Sequence, residues 1–217
     1  MIHDISQPVG TRTATWPGDH PFGIDWSMSR ATGDPVNVAV VTMSVHTGTH
    51  IDGGHHFHDE GRRAAALPLE AYVGAATVVD ADGVDVLDLD VIRDLDLDTV
   101  ERVLFRTRGQ VDETRFPERF AAIAPELARA LADAGLRLVG TDSPSVDPRD
   151  SKTLDAHHIL HRGGVAILEN LVLTEVAPGT YTLIALPLKL VEADSSPVRA
   201  VLLDETATGE TLTQPLP

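Results

Sequence analysis

Ser151-Lys-Thr-Leu-Asp-Ala-His-His-Ile-Leu-His-Arg-Gly-Gly-Val-Ala-Ile-Leu-Glu-Asn-Leu171 holds two structural periods in one run. Asp150 or Ser151 can cap a helix that continues to Arg162, and Gly163-Gly164 stops it. Beyond the glycines the pattern becomes that of a buried strand, Val165–Leu168, in which alternation puts Glu169 on the face of Val165, Ile167 and Leu171. Working outward, apolar runs predict strands at 75–79, 102–106, 136–141 and 181–186. A β-branched run from Val36 to Val45 reads as a further buried strand. Pro125 suits a first helical position, with Leu127, Ala130, Leu131 and Ala134 forming a stripe and Gly135 a terminator. Strands and helices alternate, so an α/β or α+β fold is expected. No repeat or linker divides the chain, and residues 1–217 are expected to form one domain.

Composition narrows the function. A formal net charge of −16 over 217 residues repels nucleic acid and anionic membrane surfaces. The absence of cysteine excludes disulfides and thiolate metal sites, leaving imidazole and carboxylate as donors. No apolar run has the length of a membrane span, and Met1 to Ser6 does not resemble a signal peptide, so a soluble cytoplasmic protein is expected. Eight aspartates between Asp80 and Asp98 read as a solvated acidic surface, because most of the EF-hand ligand pattern is missing.

Eight of the ten histidines fall within His46–His58 and His157–His161. In the first window His50 and Asp52, two apart in extended chain, can converge on one ion. Gly48 between Thr47 and Thr49 argues against a helical pair and requires a turn that folds His46 back toward His50. The competing reading is a ligand-free histidine loop at the surface. His157 and His161 alone could merely cover a helix face. Glu169 adds more, because a buried carboxylate needs a metal, a cation or a proton; a salt bridge to arginine is the plainer alternative. Spacing does not separate His157 from His158 as the inward residue. A proton donor could be His56, His55 or His58, since imidazole is the side chain suited to proton transfer near working pH. Trp16 can stack an aryl ring or simply pack.

The run His46-Thr-Gly-Thr-His50-Ile-Asp52, followed by His56, resembles the signature of the metal-dependent cyclase family. The resemblance continues through Trp16-Pro-Gly-Asp19, Ser143-Pro-Ser-Val-Asp-Pro148, Ala156-His157-His158, Ile167-Leu-Glu-Asn170, Leu183-Ile-Ala-Leu-Pro187 and Ser196-Pro-Val-Arg199. It implies a mixed β/β/α, swivelling-domain-like fold in a homodimer. It also implies two zinc ions per chain, one on His46, His50 and Asp52 and one on Asp52, His157 and Glu169, with manganese or cobalt able to use the same donors. His56 is implied as the catalytic acid/base and Trp16 as a substrate contact. The implied reaction is hydrolysis of an aryl formamide, N-formyl-L-kynurenine, to L-kynurenine and formate in tryptophan breakdown. Other readings are a related amidohydrolase that opens a cyclic amide such as isatin or acts on a secondary metabolite, and a metal-binding protein without turnover. One departure from the family is that Gly53-Gly54 stand where Ala-Pro is usual.

Overall fold

The computed structural model describes residues 1–108 and 112–204. In chain order its strands and helices are β1 (Ile2–Asp4), β2 (Gly23–Met28), β3 (Val38–Thr42), β4 (His50–Asp52), β5 (Val73–Asp80), β6 (Val86–Leu87), β7 (Arg102–Arg106), β8 (Ala122–Ile123), α1 (Pro125–Asp133), β9 (Leu138–Thr141), α2 (Asp155–Arg162), β10 (Ala166–Glu169), β11 (Gly179–Ile184), β12 (Ser195–Pro197) and β13 (Val201–Asp204). Nine of them form one mixed sheet in the order β1-β13-β11-β5-β7-β9-β10-β4-β12, so the fold is mixed α/β. The central β5-β7-β9-β10 block is parallel and its flanks are antiparallel.

The parallel strands are apolar nearly throughout because both faces are covered. Val103, Phe105, Val139 and Ile167 point into the layer packed against α1 and α2, while Leu104, Leu138 and Leu168 point into the opposite core. The strand at 102–106 has the expected bounds, and α1 starts at Pro125 as its proline requires. Of the expected stripe on α1, Leu127 and Leu131 are buried, Ala130 is half-buried, and Ala128 takes the place expected for the exposed Ala134.

Two expectations need correction. The run from Val36 to Val45 is not a core strand: β3 pairs only with β2, and Val38 to Thr42 are all exposed. A β-branched run has the same composition in an exposed ribbon as in a core. The helix expected from Ser151 begins instead at Asp155, after Leu154 in a left-handed conformation (φ 47°). Neither Asp150 nor Ser151 caps it. The Asp147 carboxylate does, accepting the N–H groups of Ala156 and His157 at 3.0 Å each.

Candidate metal centre

The site is assembled where β4 lies antiparallel to β10. Glu169 pairs with His50 and Ile167 with Asp52, so His50, Asp52 and Glu169 share one face, while Ile51 between them joins the opposite core. That face is the one covered by α2, whose first turn carries His157. Gly48, at φ +68°, makes the turn that returns His46 to the cluster. His46, His50, Asp52, His157 and Glu169 are thereby brought together.

Each of the three imidazoles has one nitrogen tied down and the other aimed inward. His50 Nδ1 donates to the Gly48 carbonyl at 2.9 Å, and its Nε2 lies 3.6 Å from Asp52 Oδ1 and 3.5 Å from Glu169 Oε2. His157 Nδ1 donates to Asp147 Oδ2 at 2.6 Å, leaving Nε2 at 3.4 Å from Asp52 Oδ2 and 3.6 Å from Glu169 Oε1. His46 Nε2 donates to Asp194 Oδ2 at 2.9 Å, leaving Nδ1 at 3.3 Å from Asp52 Oδ1. Fixing one ring nitrogen sets the tautomer and orientation that a metal ligand needs.

Asp52 lies at the centre. Both of its carboxylate oxygens are buried without a hydrogen-bond partner among the described residues, one facing His46 and His50 and the other facing His157. An ionised carboxylate costs several kcal/mol to bury in this way unless cations complete it. Two cations, one on each oxygen, fit this arrangement. Ligand-capable atoms of His50, Asp52 and Glu169 lie within 4.8 Å of one another, as do those of His46, Asp52 and His56. The arrangement tells against an arginine partner for Glu169, whose neighbours are His50, His157 and the Val146 N–H, donating at 2.8 Å.

The histidine ambiguities separate in space. His157, His158 and His161 all pack edge-on against Phe57, but of the three it is His157 whose Nε2 faces the Asp52 and Glu169 carboxylates. His56 sits with its ring 4.2 Å from that of His46 and with Nδ1 3.2 Å from Asp194 Oδ2. His55 is turned to the Asp59 carbonyl, and His58 lies beside His161. The Gly53-Gly54 departure has a local reason: a Cβ on Gly53 would stand 2.5 Å from the Asp194 carbonyl oxygen, to which the Gly53 N–H donates at 2.8 Å. This contact sets the chain of Asp194 close beside the histidine loop.

Asp147 and Asp194, to which no motif or spacing assigns a role, are thus the residues that orient His157, His46 and His56. Asp147 stands within the quoted Ser143–Pro148 motif, and the need of every ligand imidazole for an acceptor is the signal that points to such residues.

A cavity of about 710 Å³ opens onto the cluster and is lined by His46, His50, His56, Glu169, Trp16 and Phe116, among others. It lies at the carboxyl ends of parallel strands, where open α/β sheets place their ligands. Trp16 meets Phe116 edge-on with ring centres 5.1 Å apart, forming an aromatic wall.

The electrostatics of the metal-free cluster follow from burial and crowding. Burial holds His50 down to about 4 and pushes Glu169, also beside the Asp52 charge, up to about 8. For His157 and His46 burial opposes the charge, but the carboxylates around them prevail and raise both to about 10. At pH 7, with no metal bound, protons on His46, His157 and Glu169 take the place of metal cations, the two imidazolium rings supplying the positive charge beside Asp52. Metal ligation needs all three deprotonated, so loading should release protons and apparent affinity should climb as pH rises through about 8 and on toward about 10. Calorimetric zinc titrations in buffers of different ionisation heat measure this release; equal heats in all buffers would contradict the assigned ligands.

Fold and site together define a mixed α/β protein with a candidate imidazole–carboxylate cation site at the carboxyl ends of its strands. The chain belongs to the Cyclase family, whose sequence model matches residues 3–148. It is 46% identical to the kynurenine formamidase of Bacillus cytotoxicus over 92% of this chain and 95% of that protein. A structure described as a predicted metal-dependent hydrolase from Bacillus stearothermophilus superposes with a TM-score of 0.80 at 32% identity, covering 93% of this chain and 97% of the other. Isatin hydrolase A from Ralstonia solanacearum shares the fold, with a TM-score of 0.80 at 22% identity over 94% and 92% of the two chains.

Proposed function

We propose that the chain is a two-zinc amidohydrolase that converts N-formyl-L-kynurenine to L-kynurenine and formate. The observation that carries the metal reading is Asp52, with two buried oxygens that face separate imidazoles and lack hydrogen-bond partners among the described residues. In this reading His46, His50 and Asp52 hold one zinc, and Asp52, His157 and Glu169 the other. Manganese or cobalt would accept the same donors. The substrate follows from the 46% identity to a kynurenine formamidase over nearly the whole chain.

Bound zinc would lower the pKa of water to about 7 and polarise the formyl oxygen. The chain's own residues do the rest. Trp16 and Phe116 give the aryl ring a flat apolar wall. Asp194 holds His56 through Nδ1, so Nε2 is the position from which a proton passes to the anilide nitrogen as its bond to the formyl carbon breaks. The amine then leaves neutral.

We further read residues 1–217 as one domain of a cytoplasmic homodimer; residues 109–111 and 205–217 lie outside the described residues. Among the described residues no helix is long and apolar enough to cross a membrane. Support for a dimer is the β2–β3 ribbon, which exposes Ile24, Trp26, Val38, Val40 and Val41. A two-stranded ribbon with such a surface is marginal alone and gains from a covering partner.

The test is an assay of zinc-loaded protein on N-formyl-L-kynurenine, formanilide and isatin. The expected order places kcat/KM for N-formyl-L-kynurenine first. Turnover of isatin alone would move the substrate elsewhere in the family, and turnover of nothing would sink the enzymatic reading.

A further inference from the structure

Arg108 follows β7 at the carboxyl end of the parallel strands and lines the same cavity as Trp16, His56 and Glu169. Its backbone N–H donates to Asp142 Oδ2 at 3.0 Å, and Asp142 also accepts from the Thr107 N–H at 2.9 Å and from the Thr107 hydroxyl. The guanidinium is left out of this network. Its Nε and Nη2 are buried and find no hydrogen-bond partner among the described residues. A guanidinium stays charged at any working pH, so burying it with bonds unmade is costly until an anion completes it. Asp142 supplies charge nearby, but burial disfavours the Arg108 cation more than Asp142 favours it.

The geometry selects the anion. Nε and Nη2 share one edge of the guanidinium and form the fork that grips a carboxylate through two parallel hydrogen bonds. Arg115, which also lines the cavity, is exposed and lies 3.7 Å from Glu118. Asp19, Asp112 and Glu113 line the cavity too, so an anionic group entering it meets repulsion there and attraction at Arg108.

We infer that Arg108 is the specificity-determining residue that receives a carboxylate of the substrate. Resting on the formamidase reading, that group is the α-carboxylate of the amino-acid tail, remote from the reacting formyl group. Both nitrogens are buried as the side chain stands, so the guanidinium edge turns toward the cavity when the anion arrives. The interaction contributes to binding and leaves the chemistry at the formyl carbon to the metal centre.

Arg108→Gln and Arg108→Lys are compared with the parent, all zinc-loaded, on N-formyl-L-kynurenine and on 2-formamidoacetophenone, the same aryl formamide without the amino-acid tail. For Arg108→Gln, KM for N-formyl-L-kynurenine should rise roughly 30-fold or more with kcat changed only a few-fold, as expected for losing one partner of a desolvated charge pair. Its kcat/KM on the tail-less formamide should stay within about two-fold of the parent. Lysine keeps the charge without the fork, so Arg108→Lys should lie between. If Arg108→Gln does not fold, Arg108→Lys carries the same comparison, and its deficit must be larger on the carboxylate-bearing substrate. Equal losses on both substrates, or no loss on either, overturn the inference while the formamidase reading stands. A parent enzyme that hydrolyses neither formamide removes that reading, and the inference with it.

Discussion

Asp52→Asn should reduce turnover on the order of 10³-fold or more and weaken both metal sites at once, a larger effect than loss of any single histidine. The residue faces both imidazole groups with no hydrogen-bond partner among the described residues, its Oδ1 3.3 Å from His46 Nδ1 and its Oδ2 3.4 Å from His157 Nε2. Asparagine keeps the size but supplies one neutral oxygen where two charged ones stood. Metal analysis after dialysis against limiting zinc should show both ions depleted. Loss of one ion with the other retained would count against a shared ligand. The thermal midpoint of the metal-free variant, measured alongside, separates a folding defect from a ligand defect.

His56→Ala should behave differently, keeping metal and fold while the rate on N-formyl-L-kynurenine falls by roughly two to four orders of magnitude, the range of general acid–base catalysis. The deficit should shrink along a series of formanilides with increasingly electron-withdrawing rings, because an amine that leaves easily needs less help from a proton. The contrast is sharp because His56, together with His46 and Asp52, is also within range to hold an ion. A ligand's loss would lower metal content and penalise every substrate alike. Metal loss in His56→Ala, or a deficit independent of the leaving group, would transfer it from proton donor to ligand.

The sequence reveals the parallel core and the imidazole–carboxylate cluster for the same reason: each is a concentration of one chemistry. Strands buried on both faces must be apolar almost throughout, and the strand at Arg102–Arg106 reads correctly even though Arg102 is itself buried, spending its guanidinium on the carbonyls of Glu70, Ala71, Val73 and Ala75. His50, Asp52 and Glu169 are visible because two histidine clusters and a carboxylate in an apolar run are costly to place without a use. What composition cannot carry is burial. Val38 and Val40 on one side of β3 and Ala39 and Val41 on the other look like core residues and are exposed.

Long-range polar partners are equally hidden. Asp147 caps α2 and orients His157, Asp194 joins His46 to His56 across more than a hundred residues, and Arg108 reaches the cavity from the end of β7. Among 33 acidic residues, neither aspartate has a spacing that marks it. Only the strand order, with β4 inserted between β10 and β12, brings Asp194 beside the histidine loop. The bonds of these residues depend on topology, which local periodicity does not encode.

The proposed two-metal site at Asp52 is tested most directly by titrating metal-free protein with zinc while following bound metal and hydrolysis of N-formyl-L-kynurenine in the same samples. The account predicts saturation at two ions per chain, with full activity reached only as the second ion binds. Saturation at one ion with full activity, or full activity without metal, would contradict it.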